Sequence, residues 1–153
     1  MSPTRKMKVL VAPLDWGLGH TTRCIPIITE LLKRGVTVIL AGNDTQKKIL
    51  SEFFPECLFL PLKGYNIKYS NRGRGFISKM MRQFPNILSA IRAEHKWLRE
   101  IIAIHGINGI ISDNRFGLYQ SDLPCIFITH QLQIKTGMGR LADIILRNLN
   151  YKK

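Results

Sequence analysis

The apolar residues of this chain gather into five short runs, the first of which is rich in β-branched side chains. They cover residues 7–12, 36–41, 57–61, 108–112 and 125–129. Short apolar runs bounded by turn-forming residues are typical of strands that are buried on both faces of a sheet. The pattern therefore predicts five strands, of which the first is expected to be buried.

Helical periodicity fills the stretches between these strands. The predicted helices cover residues 21 to about 34, 45 to about 53, 76–105 and 141–149. Thr21 or Thr22 can cap the first helix, Gly35 can end it, and Pro85 is expected to break or kink the third. Strands that alternate with helices imply right-handed crossovers and a parallel sheet. The sequence thus predicts one α/β domain, a Rossmann-like parallel sheet with helices on both faces, within its 153 residues.

Ligands of such sheets bind at the carboxyl ends of the strands. The loop at residues 13–20 follows the first strand and contains Gly17 and Gly19, which allow a ligand to approach the backbone. The helix behind them offers free N–H groups that favour phosphate. The loop lacks the lysine of a P-loop, and Thr22 stands where a dinucleotide fingerprint has its third glycine. A Rossmann-like NAD- or nucleotide-binding protein therefore remains an alternative, as does a plain structural turn.

Three segments together resemble one enzyme family. Residues 17–23, G-L-G-H-T-T-R, resemble the G-x-G-H loop of GT-B glycosyltransferases, especially the group of the peptidoglycan lipid-linked N-acetylglucosaminyltransferase and its uncharacterised relatives. Residues 111–119, I-S-D-N-R-F-G-L-Y, look like the fourth-strand exit loop of that family. Residues 124–132, P-C-I-F-I-T-H-Q-L, look like its fifth strand and following turn. The first loop departs from the peptidoglycan enzyme, which has more glycines where this chain has Asp15 and Trp16.

The resemblance implies the N-terminal half of a GT-B fold over residues 1–153. In this family the N-terminal domain binds the acceptor, a C-terminal domain binds the nucleotide-sugar donor, and the substrates meet in the cleft between them. No donor-binding elements occur in this chain, so we expect a fragment or a truncated reading frame that is inactive alone. The complete enzyme would transfer a hexose from a nucleotide-sugar to an acceptor hydroxyl.

His20 is the candidate catalytic residue within this resemblance. It follows the two glycines at a helix N-terminus, where the helix dipole disfavours a positive charge and keeps the imidazole neutral. A neutral imidazole could accept the proton of the acceptor hydroxyl as it attacks the anomeric carbon. The amides of Gly17, Gly19 and Thr21 could stabilise the departing diphosphate. The alternative is a structural histidine.

The remaining substrate-binding candidates follow the fourth and fifth strands. Asp113 and Asn114 are expected to bind acceptor hydroxyls, unless they only form a turn. Arg115 is expected to pair with a phosphate or with a structural carboxylate. The other two candidates, after the fifth strand, are His130 and Gln131. Cofactors and metals are not expected, because no histidine, cysteine and carboxylate cluster has metal-ligand spacing.

Charge and cysteine usage bear on partners and location. The net charge is +13, and residues 57–93 contain no acidic side chain. The long loop at residues 63–75 and the helix after it combine basic, aromatic and methionine residues, a composition that suits an anionic membrane surface. An ordinary solvated face is the alternative for this segment. A basic non-catalytic binding module is the corresponding alternative, whereas no nucleic-acid recognition motif occurs.

The same features predict the compartment. No apolar run is long enough to span a bilayer, and the N-terminal residues lack the features of a signal peptide. Cys24, Cys57 and Cys125 form no C-x-x-C pair and are expected to be reduced, buried thiols. The predicted location is cytoplasmic, with peripheral contact at the inner face of the membrane.

Overall fold

The computed structural model describes residues 6–65 and 76–129, with the backbone alone at residues 76–84. The strands are β1 (Lys8–Pro13), β2 (Thr37–Gly42), β3 (Leu58–Pro61), β4 (Gly109–Asp113) and β5 (Cys125–Ile128). The helices are α1 (Leu18–Lys33), α2 (Asp44–Phe53) and α3 (Phe76–His105). The five strands form one sheet in the order β3-β2-β1-β4-β5, and all neighbouring pairs are parallel. This architecture confirms the predicted α/β Rossmann-like fold.

The two faces of the sheet carry separate apolar cores. Alternate residues of β1 point to opposite faces, so Leu10 packs with Leu98 of α3, while Val11 packs with Ile28 of α1. Both faces are covered, which explains why β1, β2 and β4 are apolar without a polar alternation. The core therefore leaves the strand ends as the places where polar side chains can gather.

Two local predictions are corrected by the structure. Helix α1 begins at Leu18, and its N-cap is Gly17 at a φ of 81°, so the prediction that Thr21 or Thr22 caps it is wrong. A positive φ lets glycine turn the chain into the helix one turn earlier than a threonine cap would. Thr22 instead donates its hydroxyl to the Leu18 carbonyl. Helix α3 runs through Pro85 without a break.

Two further predictions concern residues that lie wholly or largely outside the described ranges. The loop at residues 63–75 is described only as far as Tyr65, and the helix predicted at residues 141–149 lies outside the described residues.

Gly35 ends α1 as predicted, with a φ of 74°. Within the described ranges no helix is long and apolar enough to span a membrane.

The three cysteines are free thiols, but only Cys24 is buried, which corrects the expectation that all three are. Burial, together with the nearby Asp113 carboxylate, raises the pKa of Cys24 to about 12. Because only the thiolate reacts, we expect iodoacetamide at about pH 8 to label Cys57 and Cys125 in the folded protein and to leave Cys24 unmodified. Peptide mass spectrometry measures this, and denatured protein, which should be labelled at all three thiols, is the control. Equal labelling rates in the folded protein would contradict the buried position.

Candidate functional site

The candidate site lies where the carboxyl ends of β1 and β4 meet. The two strands are neighbours, and their register pairs Pro13 with Asp113. The chain leaves β1 through a short loop and enters α1, so that His20 lies in the first turn of α1 above the end of β4. His20 and Asp113, which are 93 positions apart, are thereby brought into contact.

The imidazole of His20 bonds the carboxylate of Asp113. Nδ1 lies 2.9 Å from Oδ2, and the side chains are 9% and 0% exposed. An ionised carboxylate can only accept, so this contact places the proton on Nδ1 and the basic lone pair on Nε2. This is the tautomer that a general base of the Ser-His-Asp type also uses. Asp113 was expected to bind an acceptor hydroxyl. In the fold, one of its carboxylate oxygens instead orients the imidazole of His20.

Arg23 is the second partner of the same carboxylate. Its Nε lies 3.2 Å from Asp113 Oδ2 and also donates to the Gly19 carbonyl at 3.2 Å. The Arg23 side chain is 34% exposed, so it lies at the surface of the site while Asp113 is below it. Burying a carboxylate without a positive partner is costly, and Arg23 supplies that charge even when His20 is neutral. Asp113 Oδ1 is buried and has no hydrogen-bond partner within the described part of the chain.

The first turn of α1 presents an uncapped helix N-terminus. The N-cap residue is Gly17, no side chain caps the helix there, and no acidic residue occupies the first turn of α1. A Cβ placed on Gly17 or Gly19 would meet no described atom within 4 Å, so the loop surface is open there. Free amides and the positive end of the helix dipole favour an anion at such a position. Thr21 does not contribute to this surface, because the residue is only 1% exposed and its N–H is the first donor of the helix's own hydrogen bonds, so its predicted binding role has no support here.

Asn114 and Arg115 have structural contacts in this geometry. Asn114 has a φ of 55°, which matches the turn-forming alternative. Its backbone N–H donates to the carbonyl of Ile128, the last residue of β5, at 3.0 Å. Arg115 is fully buried and forms a 2.6 Å ion pair with Glu94, which is the structural carboxylate of the two predicted partners. The phosphate-binding role has no support here, because the guanidinium does not reach the surface. His130 and Gln131 lie outside the described residues.

Sequence reasoning missed the residues that hold these loops. Gln46 forms a capping box with Asn43 at the start of α2 and donates from Nε2 to the carbonyls of Pro13 and Leu14. The spacing of Asn43 and Gln46 was the available signal, since a capping residue followed by glutamine three positions later marks a helix start. Glu94 and Tyr65, which bond each other at 2.6 Å, gave no such signal.

No group of three histidine, cysteine or carboxylate side chains within the described ranges could hold a metal ion. The polar groups that converge at the site are the His20 imidazole, the Asp113 carboxylate, the Arg23 guanidinium and the amides at the start of α1. Together they can orient a base and hold an anion close to it.

Comparisons with known proteins bear on the fold. No family model matches the chain, and no curated protein matches it in sequence. Among solved structures the chain is similar to LpCGTa, a glycosyltransferase crystallised in complex with UDP, with a TM-score of 0.51 and 16% identity. The match covers 80% of this chain and 29% of the LpCGTa chain. The chain thus has a GT-B-like Rossmann fold and spans less than a third of the length of that structure.

Proposed function

We propose that this chain is the acceptor-side domain of a glycosyltransferase that moves a sugar from a nucleotide-sugar to an acceptor hydroxyl. The 2.9 Å contact between His20 and Asp113, at the open N-terminus of α1, carries the proposal. It combines an oriented base with an anion-binding surface, and those are the two groups that this reaction requires. The fold shared with LpCGTa supports the same reading.

The proposed reaction begins at Nε2 of His20. Asp113 holds Nδ1–H, so Nε2 accepts the proton of the acceptor hydroxyl while its oxygen attacks the anomeric carbon. The bond between that carbon and the diphosphate oxygen breaks, and the nucleoside diphosphate leaves with the electron pair. Negative charge on the diphosphate would be stabilised at the α1 N-terminus, where no side chain caps the helix and the exposed Gly19 presents its backbone. The proton stays on His20 until it is released to solvent.

A second domain is proposed to hold most of the donor. The described loops offer one uncapped helix N-terminus and one partly exposed guanidinium, Arg23, for an anion. LpCGTa was crystallised with UDP, so a UDP-sugar is the first donor to test. The peptidoglycan-type acceptor implied by the resemblance remains a proposal of the same kind.

Calorimetric titration of this chain tests the need for a second domain. We expect UDP and UDP-sugars to bind at millimolar affinity or weaker, which corresponds to about −4 kcal/mol or less favourable. Titration with NAD under the same conditions is the comparison. Micromolar binding of UDP-sugars would contradict the division of the site between two domains, and micromolar binding of NAD would favour the cofactor-binding alternative.

Membrane contact is a separate expectation that rests on the sequence, because the basic segment lies largely outside the described residues. Each basic residue near an anionic surface contributes about 1 kcal/mol, and the attraction fades within a Debye length of ~8–10 Å. Cosedimentation with liposomes that contain acidic lipids should therefore occur at low salt and weaken steeply as salt rises. Changing Arg72, Arg74, Lys79 and Arg82 to Gln should abolish most of the binding.

The matched control for liposome binding is a second set of four charges. Replacing Lys47, Lys48, Arg147 and Lys152 with Gln removes the same net charge outside the aromatic-rich stretch. We expect this set to matter less. Equal losses from both sets would show that net charge alone is responsible and would contradict a membrane-facing segment.

A further inference from the structure

The most extensively bonded buried carboxylate in the described part of the chain is that of Glu94, which lies outside the site on α3. The Glu94 residue is 4% exposed. Its Oε1 accepts from Arg115 Nη1 at 2.6 Å, and its Oε2 accepts from the Tyr65 hydroxyl at 2.6 Å and from the Gly117 N–H at 3.1 Å. Tyr65 follows β3, and Arg115 and Gly117 follow β4. One carboxylate thus joins α3 to two strand-exit loops.

Arg115 extends this network to the loop that leads to His20. Its Nε donates to the Pro13 carbonyl at 2.8 Å, and its Nη1 also donates to the Lys63 carbonyl at 3.1 Å. Pro13 is the last residue of β1, and Asp113, the last residue of β4, precedes Arg115 by two positions. The guanidinium therefore bonds the backbone at the exits of β1 and β3 from a position beside Asp113.

Two close contacts make this arrangement specific. A Cβ on Gly117 would lie 2.5 Å from both the Cβ of Glu94 and the Ile91 carbonyl, so only glycine lets the loop after β4 rest on α3. The Tyr65 hydroxyl donates to Glu94 and accepts from the Phe116 N–H at 3.0 Å. Burial and the Glu94 carboxylate raise the pKa of Tyr65, so the hydroxyl keeps the proton that it donates. The loop is therefore held both by its backbone and by a side chain.

We propose that the Glu94–Arg115 pair is a positioning device for the His20–Asp113 site, an inference that rests on the proposed function. The pair fixes the start of the His20 loop relative to the turn after Asp113, and so maintains the 2.9 Å between Nδ1 and Oδ2. Glu94 and Arg115 do not contact the imidazole in this arrangement. They are positioning residues that act through Pro13 and through the Asp113–Gly117 turn.

Stability alone does not explain such a pair. Replacing a buried ion pair with apolar side chains of similar volume is often neutral or stabilising, because the charges lose their hydration. Bonds to a buried charge do, however, fix direction as well as distance, so a hydrogen-bonded network favours one arrangement of the groups that it joins. Arg115 uses Nε and Nη1 in this network, and its buried Nη2 has no partner within the described part of the chain. The bonds from Arg115 and Tyr65 to backbone groups of three loops are of this orienting kind.

The tautomer of His20 is the measurement that tests the device. In the complete chain labelled with ¹⁵N-histidine, NMR at about pH 8.5, above the ordinary pKa of histidine, distinguishes a proton on Nδ1 from a proton on Nε2. We expect the Nδ1–H form to dominate in the wild type. Glu94→Gln should raise the Nε2–H form several-fold, because the loop contacts that place Asp113 against Nδ1 are loosened. Tyr65→Phe, which keeps the ion pair, should cause a smaller change of the same sign.

Ile107→Ala is the matched control for lost stability. Ile107 is buried in the same core face but precedes β4, at the opposite end of the strand from the site. This truncation should destabilise the protein and leave the His20 tautomer unchanged. A shift as large as that of Glu94→Gln would overturn the proposal, since loss of stability would then account for both.

The remaining outcomes also decide the question. If Glu94→Gln and Tyr65→Phe both fold with the wild-type tautomer population, the positioning role is overturned. If Glu94→Gln does not fold, Tyr65→Phe decides alone, and a wild-type spectrum from it overturns the role. The measurement uses no donor or acceptor, so its failure is distinct from failure of the sugar-transfer function, which turnover by a His20 variant tests.

Discussion

Replacing His20 with alanine is expected to lower kcat by roughly 10²–10⁴-fold in an enzyme that joins this domain to its donor-binding domain. Without the imidazole, the acceptor hydroxyl would lose its proton to water, and Asp113 would lie too deep to replace the base, since its side chain is 0% exposed. Steady-state turnover with a UDP-sugar measures the effect. The KM for the donor should change little, because His20 is proposed to act on the acceptor.

Two variants serve as controls for this result. His105→Ala removes a histidine at the C-terminal end of α3, at the opposite edge of the sheet from His20, and should leave kcat near the wild-type value. Asp113→Asn keeps the size of the side chain but offers an amide, which can donate to Nδ1 and reverse the tautomer. We expect that variant to lose most of its turnover as well. Near-normal turnover by His20→Ala would return His20 to a structural role.

Replacing Glu94 with leucine is expected to lower the free energy of unfolding by about 3–5 kcal/mol. The change leaves the Arg115 guanidinium buried and without its carboxylate, and it also removes the acceptor of the Tyr65 hydroxyl and of the Gly117 N–H. Urea unfolding followed by circular dichroism measures the loss. Adding Arg115→Met should recover much of it, because a neutral side chain of similar length then occupies the space.

The ion pair between Arg34 and Glu30 is the matched control. Its length is 2.7 Å, close to the 2.6 Å of the Arg115–Glu94 pair, but its side chains are 72% and 55% exposed. Glu30→Gln should therefore cost about 0–1 kcal/mol, since water and salt screen the pair. Similar losses of unfolding free energy from Glu30→Gln and Glu94→Leu would contradict the expectation that burial makes the Glu94–Arg115 pair matter more for stability.

The positions of the strands along the chain follow from its sequence. The apolar runs that become β1, β2 and β4 are buried on both faces, and their residues record that burial directly. The sequence predicted the ends of the helices less well than the positions of the strands. Gly35 indicated the end of α1 because glycine readily adopts the positive φ that often follows a helix, here 74°. The start of α1 at Leu18 depended instead on Gly17 adopting a φ of 81°, upstream of the threonines that were expected to cap it. Backbone freedom at one glycine thus outweighed the preference of threonine for the cap.

The sequence also identified His20 and Asp113 separately, because each follows a strand where ligands bind in such sheets. It did not identify their contact. That contact depends on β4 lying beside β1 with Pro13 opposite Asp113, and strand order and register arise from pairing between distant parts of the chain. For the same reason Asp113 was expected to bind a substrate hydroxyl, whereas in the fold its Oδ2 is hydrogen-bonded to His20 and ion-paired with Arg23.

Glu94 shows most clearly which contacts could not be predicted from the sequence. In the sequence it is a glutamate among the charged residues of a long helix, and such residues usually face solvent. Only the packing of α3 against the loops after β3 and β4 buries it and gives it three partners. Hydrophobic patterning therefore determined the sheet and the edge where the site lies, because burial leaves a local record in residue type. The pairing of the polar groups was decided by the tertiary structure, because a hydrogen bond between distant residues leaves no such record.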